Sequence, residues 1–291
     1  MKVALLSGHK DGAIDQVMQS VQKAVQPLGV EADIFGVYND NLRDVDLDTY
    51  DIVHAGYFAY YTAIKDRTDQ PITANIWHVG NHNEEKIRNF LGLSEIMHLV
   101  ADDVMTIQQL GQEGIMNVTK IPLPVDPSKW TALPKPEGEF TVGVFCNDYP
   151  YKRWETIVQG AKQAGVKCLA FVMPEGRLTY DLDPLTEVYA RVHVLASATF
   201  VDTNSLPLRE ALMCGRPVIS THNDGMGRVL QSGKNGYWFD GTPKDLAEKL
   251  VLCRDNYQRL AAEARETKME PLEFIGSEYV KMWTKVLAEA L

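Results

Sequence analysis

Short apolar runs alternate with segments of helical periodicity along most of the chain. Runs typical of strands occupy 2–8, 30–36, 50–56, 72–80, 95–101, 119–125, 140–146, 167–173, 192–198, 217–221 and 236–240. Apolar residues at helical spacing predict helices over 13–29, 83–93, 153–165, 206–215, 243–265 and 277–291. Strands that alternate with helices are typical of parallel sheets covered by helices on both faces. We therefore expect an α/β protein.

The alternation is interrupted between residues 122 and 140, where five prolines occur without a helical period. This break predicts two doubly wound, Rossmann-like domains. We place the first domain at 1–128, an interdomain linker at 129–139 and the second domain at 140–274, followed by a terminal helix at 275–291. Because ligands of such sheets bind beyond the carboxyl ends of the strands, we expect a ligand in a cleft between the domains.

Composition narrows the classes of function. The 291 residues carry a formal net charge of −10, which disfavours a general binder of nucleic acid. Apolar runs stay far below the ~20 residues of a membrane span, and the amino-terminal run is typical of a buried strand, so we expect a cytoplasmic protein without a transmembrane segment. The four cysteines show no paired spacing, which predicts buried thiols and no metal site.

The segment "DTNSLPLREALMCGRPVIS", residues 202–220, carries the clearest chemistry. A loop follows the strand that ends near Ala198, and a helix begins near Leu206, with Pro207 in its first turn. The amides of this first turn and the helix dipole predict an anion site. A carboxylate beside a phosphate is repelled, so Asp202 and Glu210 are expected to accept hydroxyl groups of a vicinal diol. A diphosphate between two diol-binding acids describes a nucleotide sugar.

Residues 188–250 resemble the donor-binding signature of the large family of retaining glycosyltransferases with the GT-B fold, often called family 4. "REALMCGRPVIS" and "GKNGYWF" match closely, and two acids are separated by seven residues as in that family. The rest of the chain is similar at lower specificity. The resemblance implies a GT-B fold of two Rossmann-like domains with an interdomain cleft, and a carboxyl-terminal helix that crosses back to the first domain.

The resemblance also implies roles for individual residues around the donor. Glu210 would hold the ribose hydroxyls, and Asp202 would hold hydroxyls of the donor sugar. Backbone amides around Asn204, Ser205 and Leu206 would bind the diphosphate.

Other positions match family residues in both domains. Lys152 corresponds to the diphosphate lysine, which would stabilise the leaving group as its negative charge grows. His78 corresponds to a histidine near the donor sugar and the acceptor. Gly8 and Gly12 correspond to glycines of a loop that lets the backbone approach the sugar phosphate. A buried structural role at the end of a strand is an equal alternative for His78.

Two positions depart from the family pattern. The first acid is usually glutamate, and here it is Asp202. An arginine usually stands where this chain has Asn147, so one cation on the diphosphate is missing unless Arg153 or Lys10 supplies it. These departures favour an alternative, a GT-B protein that binds a nucleotide sugar without transferring it.

The sequence thus predicts a retaining, metal-independent glycosyltransferase that uses no cofactor and takes a nucleotide diphosphate sugar, with a UDP-type donor favoured. The implied mechanism is front-side, with the leaving diphosphate helping to deprotonate the acceptor. The acceptor could be a glycan, a lipid or a modified base in phage DNA, although the net charge disfavours DNA. The aromatic run 57–64 is either core or a surface that faces the acceptor, since rings stack on sugars and bases. Oligomeric state is left open.

Overall fold

The computed structural model describes residues 1–10, 12–38, 42–77, 95–173, 185–199, 205–222 and 226–290. The chain divides into two compact units. The first unit comprises Met1–Val125 together with Glu270–Leu291, and the second comprises Asp126–Met269. The helix predicted over 83–93 lies outside the described residues.

The first unit is built on a six-stranded parallel sheet in the order β2-β1-β3-β4-β5-β6. Its strands are β1 (Lys2–Ser7), β2 (Glu31–Gly36), β3 (Ile52–Ala55), β4 (Ile72–Ile76), β5 (His98–Ala101) and β6 (Val118–Lys120). β1 and β3 are buried along almost their whole length, as expected for strands covered on both faces. The strand order reverses between β1 and β3, which makes this pair the topological switch point.

In the described residues of the first unit, the helices are α1 (Ala13–Val25), the single turn α2 (Tyr61–Ile64), α3 (Val104–Gln112) and, at the end of the chain, α9 (Leu272–Ala290). α9 packs on α1 so closely that a Cβ on Gly276 would lie 2.2 Å from the carbonyl oxygen of Ala24. The Tyr279 hydroxyl donates to Asn75 Oδ1 of β4 at 3.0 Å. The last helix is therefore an integral part of the first unit.

The second unit contains a five-stranded parallel sheet in the order β11-β10-β9-β7-β8. Its strands are β7 (Thr141–Asn147), β8 (Lys167–Met173), β9 (Val194–Ser197), β10 (Val218–Thr221) and β11 (Gly236–Phe239). Outside the undescribed stretches 174–184, 200–204 and 223–225, its helices are α4 (Trp154–Ala164), α5 (Leu185–Ala190), α6 (Leu206–Met213), α7 (Pro243–Asp255) and α8 (Tyr257–Arg265). The switch point of this sheet lies between β7 and β9. Two doubly wound parallel sheets, as predicted from the alternation of strands and helices, are confirmed.

The structure differs from the predicted helices in two ways: one predicted helix is divided, and α2, α3 and α5 were not predicted. The single helix expected over 243–265 is two helices, because Asn256 leaves the helical region (φ −113°, ψ 14°) and its side-chain amide donates to the Leu252 carbonyl at 2.9 Å. The start of α3 is stabilised by Asp103, whose Oδ1 accepts the Thr106 amide at 2.7 Å.

Candidate functional site

The switch point of the second sheet brings two predicted segments to neighbouring strand ends. β7 is followed by the loop that contains Lys152, and β9 leads through 198–205 into α6. Since β7 and β9 are paired strands, these two connections leave the sheet side by side at its carboxyl edge. This is the position at which doubly wound sheets bind ligands. We call it the β7–β9 edge.

The loop after β7 is a compact turn. Lys152 lies in a 3₁₀ turn over Pro150–Lys152, and its amide donates to the Tyr149 carbonyl at 2.9 Å. Its ammonium group lies 5.3 Å from the centre of the Tyr151 ring, and that ring stacks on Tyr149 at 5.5 Å. The lysine is half-buried and held beside two aromatic rings. Its cation is thereby kept near the end of β7.

Arg153 adopts the left-handed conformation (φ 49°), unlike any other non-glycine residue in the described part of the chain. Its Nη2 donates to the carbonyl oxygen of Gly241 at 2.9 Å. This bond ties the start of α4 to the loop that precedes α7, and such ties can hold a residue in a sparsely populated conformation. The role of Arg153 as a second cation on a diphosphate stays a prediction.

α6 begins as the sequence predicts. Ser205 is the extended N-cap residue (φ −71°, ψ 107°), its side chain makes no capping bond, and a proline lies in the first turn. The amides of Leu206 and Leu208 belong to the first turn, where an α-helix provides no internal acceptors. They lie at the positive end of the helix dipole, which suits an anion.

Glu210 is a buried carboxyl group on α6. Its side chain is 3% exposed, and its Oε2 accepts the Tyr189 hydroxyl at 2.5 Å. Burial raises the pKa of Glu210 to about 7, although the bond from Tyr189 and the nearby charge of Lys129 act to lower it. The group is therefore poised to change its charge near neutral pH. A ligand hydroxyl on this carboxylate would share it with Tyr189.

Tyr189 connects Glu210 to a second buried group. The tyrosine, on α5, is fully buried, and its carbonyl oxygen accepts Arg216 Nε at 2.8 Å. Arg216 is also fully buried and donates through Nη2 to the Pro134 carbonyl at 2.7 Å. This network was not predicted from the sequence. No spacing rule could have found it, because 21 residues separate Tyr189 from Glu210.

The predicted glycines of the first unit occupy the loop after β1. A Cβ on Gly8 would lie 2.5 Å from the Tyr60 hydroxyl oxygen, so a larger residue at this position would require the Tyr60 side chain to shift. Gly12 is the N-cap of α1, and its amide donates to the His9 carbonyl at 3.1 Å. Their proposed approach to a sugar phosphate stays a prediction.

Three predicted site residues, His78, Asp202 and Asn204, lie outside the described residues.

Two other histidines are structural. His54 is fully buried, with Nδ1 2.8 Å from Thr73 Oγ1, and burial lowers its pKa to about 3.

His193 is 3% exposed, and its Nδ1 accepts the Thr141 amide at 3.2 Å.

Within the described ranges, no group of three or more His, Cys, Asp or Glu side chains could hold a metal ion. No helix in that same part of the chain has the length and apolar character needed to cross a membrane.

Comparison with known proteins agrees with the resemblance seen in the sequence. Residues 147–256 match the model of the family described as Glycosyl transferases group 1. A probable sucrose-phosphate synthase of Thermosipho melanesiensis is 31% identical over 94 residues, which are 32% of this chain and 22% of that protein. The chain thus matches less than a quarter of the length of that curated relative.

Two solved structures share the fold along almost the whole chain. Sucrose-phosphate synthase from Thermosynechococcus elongatus superposes with a TM-score of 0.79 at 13% identity, covering 99% of this chain and 100% of that one. Anabaena Alr3699/HepE, in complex with UDP and glucose, superposes with a TM-score of 0.70 at 14% identity, covering 99% of each chain. These likenesses confirm the GT-B fold expected from the sequence.

Proposed function

We propose that this chain is a glycosyltransferase that moves a sugar from a UDP-sugar to an acceptor hydroxyl with retention of configuration and without a metal ion. The observation that carries the proposal is the β7–β9 edge. There the half-buried Lys152 and the first turn of α6 lie at neighbouring strand ends, inside the segment that matches the glycosyltransferase family model. The Anabaena structure, which contains UDP and glucose, supports the choice of donor.

In this proposal the donor diphosphate binds the first-turn amides of α6, including those of Leu206 and Leu208, and the ammonium group of Lys152. Glu210 accepts a ribose hydroxyl on the carboxylate that it shares with Tyr189. Asp202, from the loop before α6, binds hydroxyls of the donor sugar. In this proposal Lys152 and the backbone amides contact the diphosphate, whereas the carboxylates contact hydroxyl groups of the ribose and the donor sugar.

The reaction needs no nucleophilic side chain. The bond between the sugar C1 and the diphosphate oxygen breaks, and the acceptor oxygen forms its bond to C1 on the same face. The acceptor proton passes to the leaving diphosphate, whose growing charge is stabilised by Lys152 and the helix amides. These groups supply the charge that a metal ion would otherwise provide.

A thermal-shift titration with UDP, UDP-glucose, ADP and GDP tests donor binding, because a ligand of the native state raises the melting temperature. A coupled assay of UDP release tests turnover. Replacing Lys152 with alanine is expected to lower kcat about 100-fold, since it removes a charge that acts mainly in the transition state.

The matched control is Lys162→Ala, an exposed lysine near the end of α4, which should leave kcat unchanged. The proposal fails if no nucleotide raises the melting temperature, or if Lys152→Ala transfers sugar at the wild-type rate.

A second candidate function is binding of a nucleotide sugar without transfer. Asn147 stands where the resemblance expects an arginine, and Arg153 already donates a hydrogen bond to a main-chain carbonyl. Both observations leave fewer cations to bind the diphosphate than sugar transfer is expected to use. UDP-glucose that binds tightly, yet releases no UDP with any acceptor tried, would select this alternative.

A further inference from the structure

A pocket of about 270 Å³ lies at the start of β11 in the second unit. One wall is the turn that precedes this strand, with Lys234 and Asn235, and the other is the segment after α8, with Thr267 and Lys268. The turn belongs to the motif "GKNGYWF", which has no part in the proposed function. We call this cavity the β11 pocket.

The β11 pocket is separate from the β7–β9 edge. Lys234 and Asn235 directly precede β11, so the pocket lies at the amino edge of the second sheet, whereas Lys152 and the start of α6 follow the carboxyl ends of β7 and β9. The strands are parallel, and β10 lies between β9 and β11. A ligand of this pocket therefore makes contacts that the donor does not share.

The buried side chain of Asn235 holds the two walls together. It is 2% exposed, and its Oδ1 accepts the Gln231 amide at 2.8 Å. Its Nδ2 donates to the Val229 carbonyl at 2.7 Å and to Thr267 Oγ1 at 2.8 Å. The last of these bonds joins the turn before β11 to the segment after α8. The walls are thus fixed without a ligand, which lowers the entropy that binding costs.

The charged side chains of the pocket carry both signs, with an excess of cations. They are Arg228, Lys234, Lys268, Glu263 and Glu266. Lys234 Nζ lies 4.0 Å from Glu263 Oε2, at the limit of an ion pair. Among the described residues, Lys268 and Glu266 have no ion-pair partner. Three cations against two acids give a locally positive surface in a chain of net charge −10, which favours an anionic ligand.

The lining selects a phosphate group together with alcohol groups. Ammonium and guanidinium groups donate charge-assisted hydrogen bonds to phosphate oxygens. Carboxylates accept hydroxyl groups, and the exposed side-chain amide of Gln231 can do either. Two carboxylates in the same cavity would repel a nucleoside diphosphate or triphosphate. The volume is slightly below the range of about 300–1,000 Å³ that is typical of small-molecule sites, so the ligand is small.

We infer that the β11 pocket is a second ligand site, which binds a small alcohol that carries one phosphate group. Lys234 and Lys268 contact the phosphate, and Glu263 and Glu266 contact the hydroxyl groups. The site does not depend on the proposed function. Lys268 lies two residues before Glu270, where the chain enters the first unit, so the ligand contacts the segment through which the chain leaves the second unit.

Phosphorus-31 NMR line broadening tests this inference on the full chain, with glycerol 3-phosphate and inorganic phosphate as the probes. We expect saturable binding of glycerol 3-phosphate and weaker binding of inorganic phosphate, which offers no alcohol groups to the carboxylates. The double variant Lys234→Ala/Lys268→Ala should bind glycerol 3-phosphate about tenfold more weakly, because it loses two charge-assisted contacts.

The matched control is the double variant Lys162→Ala/Lys167→Ala. It also removes two exposed lysines from the second unit, near the end of α4 and at the start of β8, and β8 lies at the other edge of the sheet from β11. This control should bind glycerol 3-phosphate like wild type. Circular dichroism establishes that each variant is folded.

Lys152→Ala distinguishes the β11 pocket from the β7–β9 edge and should leave the binding of glycerol 3-phosphate unchanged. The inference is overturned if neither phosphate binds, or if Lys234→Ala/Lys268→Ala binds as tightly as wild type. Binding that is lost in Lys152→Ala assigns the phosphate to the β7–β9 edge and likewise overturns it. Equal affinity for the two probes contradicts the contacts from the carboxylates to hydroxyl groups.

Discussion

Replacing Glu210 with glutamine should stabilise the protein at alkaline pH while weakening donor binding. Glutamine has nearly the same shape, and its Oε1 can still accept the Tyr189 hydroxyl that now bonds to the carboxyl group at 2.5 Å. What the change removes is a buried negative charge. Burial is the largest cause of the raised pKa of Glu210, so the ionised form is the one that the fold disfavours.

The magnitude follows from linkage. The ordinary pKa of a glutamate carboxyl group is 4.5, and burial raises the pKa of Glu210 to about 7. Between these values the native state binds more protons than the unfolded state, so stability is lost as the pH rises. At about 1.4 kcal/mol per pH unit, ionised Glu210 costs about 3 kcal/mol above pH 7. Glu210→Gln should therefore unfold like wild type near pH 4.5 and be more stable by about 3 kcal/mol at pH 8.

Urea denaturation followed by tryptophan fluorescence at pH 5 and pH 8 measures this difference. The difference in the free energy of unfolding between wild type and variant cancels the contributions of other titrating groups. His54 is one such group, because its lowered pKa gives stability that is lost as the pH falls. Glu187→Gln, at an exposed position of α5, is the matched control for the loss of one carboxylate. A difference between wild type and Glu210→Gln that stays constant from pH 5 to pH 8 would refute the reasoning.

Two further predictions test neighbouring contacts. Tyr189→Phe removes the hydroxyl that lowers the pKa of Glu210, so the pH at which UDP binding is half-maximal should rise by about one unit. Calorimetry between pH 6 and 9 measures this shift, and a pH profile identical to that of wild type would exclude Tyr189 as a positioning residue. Gly276→Ala places a Cβ 2.2 Å from the Ala24 carbonyl oxygen and should lower the free energy of unfolding by about 1–3 kcal/mol. Gly227→Ala, whose Cβ would meet no atom within 4 Å beyond its chain neighbours, should be nearly neutral in the same urea titration. Equal stability of the two alanine variants would contradict the tight packing of α9 on α1.

The sequence predicted the structure best where the conformation of a segment depends mainly on the residues within that segment. The alternation of buried strands and amphipathic helices predicted both parallel sheets, because the apolar pattern of a segment reports which of its faces is buried. The start of α6 was predicted from Pro207, which fits the first turn of a helix without losing a hydrogen bond. The prediction failed at Asn256, where a competing bond from one side chain to the Leu252 carbonyl ends a helix that the apolar pattern alone would continue.

The sequence by itself determined the two-sheet architecture and predicted an anion site at the start of α6, since periodicity and helix-start signals are local properties. Lys152 was predicted from the resemblance to the glycosyltransferase family. Only the tertiary structure decided that Glu210 is buried against Tyr189. The physical reason is that a pKa or a binding surface depends on neighbours distant in sequence. Those neighbours are chosen by strand order and packing, which no local pattern encodes.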